Sequence, residues 1–324
     1  MKLLKRAASF AVALTVAATG LFGLSASPAA AIIGGQDASR THGSVFVKID
    51  FGDEGVAQCS ATLVVPPGTP IAHDGIGASN WVKTADHCIT WDTVAPASLP
   101  VDPQGITVYA NSVDRTAGQT ATGLKVFVHP AWAWGVPETP DTPIADEGLV
   151  KIDRVLRGPV TEVASLPAPV GSTVVESGWG LTTWPVPAGT TLPTVLQQKT
   201  VTRLPDADCA GGGIGVGEVC LSKGACFGDS GGPAFHVVNG LWRQVALASR
   251  ETVDGDVDGD GDDDTCGSPT VYTDSVYFAD WEKQTMRSER HQPCVVKTKK
   301  TLTTSDKAQI NRLKNARTWL PPNR

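Results

Sequence analysis

Gly228-Asp229-Ser230-Gly231-Gly232-Pro233 is the stretch on which the reading of this chain turns. Glycines on both sides of a serine let backbone N–H groups come close to a reacting atom and accept dihedrals that bulkier residues resist. A serine hydroxyl is a weak nucleophile alone. It needs a base, a group that orients the base, and donors for the oxyanion. A Gly/Ser/Pro surface loop is the plain alternative, but so specified a run seldom arises by accident.

Those parts occur upstream in the order His, Asp, Ser. Thr84-Ala85-Asp86-His87-Cys88 offers a histidine beside a cysteine, and Ile144-Ala145-Asp146-Glu147-Gly148-Leu149-Val150-Lys151-Ile152 an aspartate entering an apolar run. Asp141 and Asp153 compete with Asp146 for the orienting role, and His42, His73, His129, His236 and His291 lack the setting of His87. Subtilisins and α/β-hydrolases use other orders, which also disfavours an exported esterase.

On these motifs the chain resembles the trypsin/chymotrypsin family of serine proteases, as a secreted bacterial-type member, from about Ile32 to Glu282. Gln58-Cys59-Ser60-Ala61-Thr62-Leu63-Val64 resembles the family's C-G-G-T-L-I strand, with serine and alanine for the two glycines. His129-Pro130-Ala131-Trp132, Ser177-Gly178-Trp179-Gly180 and the run Val195 to Cys209 match further family segments. Asp86, Glu147 and Gly148 depart from the pattern; Asp86 either perturbs His87 or faces water.

The resemblance implies His87 as base, Asp146 as its orienter and Ser230 as nucleophile, with the N–H groups of Gly228 and Ser230 as oxyanion donors. It implies the disulfides Cys59–Cys88, Cys209–Cys220 and Cys226–Cys266, leaving Cys294 over. It also implies that a new N-terminus at Ile32-Ile33-Gly34-Gly35 inserts its amino group beside Asp229, ordering the oxyanion loop. Its substrate pocket would be formed by Gly224, Ala225, Ser249, Glu251 and Thr270. Cleavage after Lys or Arg would want an aspartate at Gly224, so an uncharged pocket preferring apolar or small side chains is expected. Arg250 and Glu251 replace the family's tryptophan and glycine, and Glu251 either partly fills the pocket or offers a charge at its rim.

The fold expected is all-β: two packed six-stranded antiparallel β-barrels, chymotrypsin-like, with a short C-terminal helix over Val276 to Met286. Short strands, frequent turns and the near absence of helical periodicity give the all-β reading independently. Residues 1–31 read as a signal peptide: Lys2, Lys5 and Arg6 precede an apolar run from Ala7 to Leu24 and the small-residue site Ala29-Ala30-Ala31. Export alone would then expose Ile32, unless a separate short pro-segment intervenes. No other segment is apolar enough to span a bilayer, so no membrane association is expected.

The protease domain is read as 32–286 and the basic tail as 287–324. From Ile32 to Glu282 there are 13 Lys/Arg against 31 Asp/Glu, a net of −18; from Lys283 onward there are 11 against 2, a net of +9. An acidic body disfavours nucleic acid as a partner and leaves protein or peptide substrates. The tail is a flexible segment or, less favoured, a partner-binding helix. Seven cysteines suit an oxidising compartment, and without a C-x-x-C pair they do not read as metal ligands. No cofactor is required. The run Asp254-Gly255-Asp256-Val257-Asp258-Gly259-Asp260-Gly261-Asp262-Asp263-Asp264 resembles half a calcium loop without its closing glutamate. Calcium held there and a solvated acidic loop both stay open. A catalytically silent homologue acting as a binding module is the alternative function, kept alive by Arg250 and Glu251.

Overall fold

The computed structural model describes residues 32–290, apart from 67, 92–98, 133–140, 188, 239, 254 and 256–264. The leader, the tail with Cys294, most of the loop from Trp134 to Pro143 and all of the acidic run except Gly255 lie outside the described residues.

Strands β1 (Gln36–Asp37), β2 (Ser44–Asp50), β3 (Val56–Val64) and β4 (Ile76–Thr84) lead into a one-turn helix α1 (Asp86–Ile89). Then follow β5 (Ile106–Ala110), β6 (Gln119–Phe127), β7 (Gly148–Pro159), β8 (Thr173–Gly178), β9 (Gln197–Leu204), β10 (Glu218–Leu221), β11 (Pro233–Val238), β12 (Leu241–Glu251), β13 (Thr270–Asp274) and helix α2 (Ala279–Arg290).

The strands form two closed antiparallel barrels. The first runs β2-β3-β4-β7-β6-β5. The second runs β8-β9-β10-β13-β12-β11 and is closed by the β8–β9 pairing, with β1 added on the edge of β9. Closure leaves no exposed ladder, which is how small all-β units avoid edge-to-edge association. Alternation makes the first core: Val45, Val47 and Ile49 of β2 point inward against Ala61, Leu63, Val82, Val150 and Ile152. The second core is built of smaller side chains, with Val174, Val201, Ala234, Ala246 and Ala248 around Tyr272. Among the described residues no helix is long and apolar enough to cross a membrane.

The C-terminal helix departs from expectation at both ends. Asp274 Oδ1 accepts the N–H groups of Val276 and Tyr277 at 2.8 and 3.1 Å, a local turn that keeps these residues out of the helix. At the other end α2 continues past Met286 to Arg290. Glu289 there pairs with Lys125 of β6 and, at 3.5 Å, with Lys151 of β7, so the folded body runs beyond the expected boundary.

A second tie joins this helix to the segment that leads to His87. Lys83, fully buried at the end of β4, lies 3.0 Å from Glu282 Oε2 and 3.8 Å from Glu147 Oε2. Loss of hydration pushes the Glu147 carboxyl up to about 7 against the pull of the lysine. Removing one partner of a buried ion group leaves the others without compensation. Lys83→Met is therefore expected to destabilise the fold by about 3–5 kcal/mol. Urea unfolding of the two proteins measures this, and an unchanged midpoint would contradict a structural role for the cluster.

Candidate active site

The site lies where the barrels meet. Asp146 precedes β7 and is 1% exposed. It accepts the backbone N–H of His87 on Oδ1 at 2.9 Å, and its Oδ2 faces His87 Nδ1 at 2.7 Å. Ser249 of β12 donates its hydroxyl to the same Oδ2 at 2.7 Å, and Thr273 of β13 donates to the Asp146 carbonyl at 3.2 Å. Burial alone would raise this carboxyl. The charge of His87 and the hydrogen bonds from His87 and Ser249 outweigh it and hold Asp146 below the usual aspartate range. His87 sits in α1, braced by the Cys59–Cys88 disulfide.

Asp86, beside the histidine, does not face water. It is buried, with Oδ2 accepting the N–H of His129 at 2.9 Å. A Cβ at Gly148 would stand 2.3 Å from Asp86 Oδ1, so the glycine makes room for this aspartate.

Ser230 lies on the loop that the Cys226–Cys266 disulfide braces. Its carbonyl accepts the N–H of Ser60 at 2.9 Å, and Gly231 N–H reaches Ala248 O at 2.8 Å, which ties the loop to both barrels. Ser60 Oγ donates to Gly228 O at 3.1 Å and accepts the N–H of Trp179 at 3.1 Å. The serine that replaces a glycine in β3 thus fixes the carbonyl of the oxyanion loop. Gly228 has φ +97°, a region that side chains avoid. Among the described residues the N–H groups of Gly228 and Ser230 enter no hydrogen bond.

Asp229 is 2% exposed. Its carboxylate accepts the N–H groups of Gly180 at 2.8 Å and Cys226 at 3.1 Å. Loss of hydration still pushes it up to about 7. Ile32 is buried at 1% exposure, and Ile33 N–H bonds to Gly224 O at 2.7 Å, so the Ile32-Ile33 segment is docked on the segment that leads from β10 to the serine loop.

Of the expected pocket residues, Gly224, Ala225, Ser249 and Thr270 are buried and Glu251 is half-buried. Ser249 turns to Asp146, and Arg250 turns away, clasping Glu218 and the carbonyls of Gly212 and Gly213. Beside these residues stands an acidic side chain that the sequence reading did not include. Glu176 of β8 brings its carboxylate to the position a side chain at Gly224 would occupy, with Oε1 1.5 Å from the ideal Cβ. Burial pushes Glu176 up to about 8, and Glu251, bonded to Thr270 at 3.3 Å, is pushed well above its ordinary value by loss of hydration. Glu176 was not among the sequence candidates. The signal for it was an acidic residue two positions before Gly178-Trp179-Gly180, in a strand that otherwise reads as core.

The three expected disulfides are present, including Cys209–Cys220. Among the described residues the grouping close enough to suggest a metal is Cys59, His87 and Cys88, but both cysteines are already joined to each other.

The sequence profile described as Trypsin matches residues 32–281. Brachyurin of Leptuca pugilator is 30% identical over 216 residues, 62% of this chain and 81% of that protein. Proproteinase E of Bos taurus is 26% identical over 280 residues, 81% of this chain and 97% of its own length. Among solved structures, the scabies mite inactivated protease paralogue S-D1 superposes with a TM-score of 0.56 at 17% identity, covering 80% of this chain and 98% of that one. At that identity the likeness concerns the fold.

The raised carboxyls make stability depend on pH. Glu147 and Asp229 near 7 and Glu176 near 8 hold protons in the folded state that the unfolded chain has already released above about pH 5. The folded state thus binds more protons, and stability falls as pH rises through these values. His42 and His129, lowered to about 4 by burial, act oppositely but only below about pH 7. The melting temperature is expected to drop between pH 7 and pH 8.5, and to drop less in Glu176→Gln. A melting temperature that rises over that interval would contradict the assignment.

Proposed function

We propose, from the premise that the chain belongs to the trypsin family of serine proteases, that it is a secreted serine endopeptidase acting through an acyl-enzyme on Ser230. The observation that carries this reading is the fully buried Asp146 holding His87 by two hydrogen bonds beside the Ser230 loop. With its Nδ1 proton directed to Asp146, the imidazole uses Nε2 as the proton acceptor. Ser230 Oγ attacks the scissile carbonyl as His87 takes its proton, and the imidazolium that forms is stabilised by Asp146. The unengaged N–H groups of Gly228 and Ser230 take up the oxyanion. His87 then protonates the leaving amine, and water repeats the cycle to free the acid. The hydroxyl of Ser60, donated to Gly228 O, and the hydroxyl of Ser249, donated to Asp146, keep the two halves of this arrangement in register.

In this reading signal cleavage after Ala31 frees the Ile32 amine. The resulting ammonium pairs with Asp229, whose raised value reflects a carboxyl that loses water without gaining a cation. Secretion is supported by the three disulfides, which need an oxidising compartment. A bacterial-type origin rests on the direct junction of small-residue site and Ile32, while the relatives named above are animal proteins. A catalytically silent role is opposed by the intact His87, Asp146 and Ser230.

The secreted protein is expected to begin at Ile32 by N-terminal sequencing and to cut a denatured protein internally. Ser230→Ala is expected to abolish cutting with its circular dichroism unchanged. Protein that begins at Ile32 yet cuts nothing, or full activity in the alanine variant, would overturn the proposal.

A further inference from the structure

The acid beside Gly224 comes from β8, a strand outside the expected pocket segments. Gly224 and Ala225 lead toward Ser230 on one side, and Ser249 to Glu251 run from the Asp146 contact on the other. The two sides are joined by Gly231 N–H to Ala248 O and by the Cys226–Cys266 disulfide. Between them the missing side chain of Gly224 leaves a space into which Glu176 reaches from β8. Glu176 is 1% exposed. Its Oε2 accepts the Tyr272 hydroxyl at 2.7 Å, the Ala225 N–H also acts on the carboxylate, and its buried Oε1 has no partner at hydrogen-bond distance. A buried carboxylate oxygen left in this state is costly and is relieved by a donor that enters the site.

The surrounding charges sharpen the point. Asp229 lies near enough to raise both Glu176 and Glu251, and Glu176 raises Glu251 in turn. Two cations stand nearby, and both are engaged elsewhere. The Lys199 ammonium donates to the carbonyls of Ile33 and Lys223, each at 2.7 Å, and lowers Glu176 only in part. The Arg250 guanidinium is held by Glu218. The pocket therefore gathers carboxyls without a cation hydrogen-bonded to Glu176 or Glu251 among the described residues.

We infer that Glu176, assisted by Glu251, selects substrates with a lysine or arginine side chain immediately before the scissile bond, an inference that rests on the endopeptidase reading above. A long cationic side chain entering past Ser249 would give Glu176 Oε1 its donor and lie along Glu251. The glycine at 224 and the glutamate at 176 act as one unit: the acid comes from the neighbouring strand because residue 224 vacates its position. A cation held by a buried carboxylate makes a charge-assisted hydrogen bond, stronger than a neutral one.

Peptide anilides differing only before the cut bond test this with isosteric pairs, lysine against norleucine and arginine against citrulline. The natural protein is expected to favour each cation by at least about tenfold in kcat/KM, the scale of one charge-assisted hydrogen bond. Glu176→Gln should lower that ratio by a similar factor, with Glu251→Gln lowering it less. Equal or inverted ratios in the natural protein, or a ratio untouched in a folded Glu176→Gln, would overturn the inference. If no anilide is cut, the endopeptidase reading fails separately, and binding to Ser230→Ala decides the pocket. Benzamidine binding at least about tenfold tighter than benzamide, with the difference lost on adding Glu176→Gln, supports the inference. Equal binding, or none, overturns it.

Discussion

A carboxylate taken out of water between two barrels has to be held by donors from both, and Asp146 is that carboxylate. His87, with its backbone and ring, approaches from the first barrel; Ser249 and Thr273 approach from β12 and β13 of the second. Without these donors the charge would be too costly to bury. The requirement sets the relation of the barrels around Asp146, and it fixes which ring nitrogen of His87 faces the carboxylate. Ser60 supplies a second crossing, joining β3 to Gly228 and Trp179. The oxyanion loop is thus referred to the same frame as the histidine.

The barrels and the three principal site residues were legible in the chain because each sits in a local motif. The alternation Val45, Val47, Ile49 depends only on strand geometry, and Thr84 to Cys88 and Gly228 to Pro233 are continuous stretches. Most of what was not legible is pairwise. Asp86 reads as an odd residue beside the base until Gly148 is seen to leave space for it. Glu147 reads as a polar intruder in an apolar run until Lys83 and Glu282 close around it. Gly224 reads as an uncharged pocket floor until Glu176 is found in its place. In each case residues far apart in sequence accommodate one another, and no local rule connects them. The end of α2 was misjudged for a related reason, since Glu289 is held by lysines of β6 and β7.

The second barrel also buries acidic groups. Its core is made of alanine and valine around Tyr272, whose hydroxyl donates to buried Glu176, and Asp229 is buried against Gly180 and Cys226. Such groups are expensive in a core and are kept where they do something there. Burial raises both carboxyls, and both are short of a cationic hydrogen-bond partner among the described residues. As proposed above, the Ile32 amine supplies one to Asp229 and a substrate supplies one to Glu176.

The central claim is that Asp146 and His87 make Ser230 a nucleophile. A fluorophosphonate reacts covalently with a serine so activated, and peptide mapping by mass spectrometry locates the adduct. The account predicts stoichiometric modification of Ser230 in the chain beginning at Ile32. In Asp146→Asn, modification should be slowed by about 10⁴, the scale of the loss in catalysis that this change causes in the template triad. An unmodified Ser230, or modification at the same rate in both proteins, would contradict it.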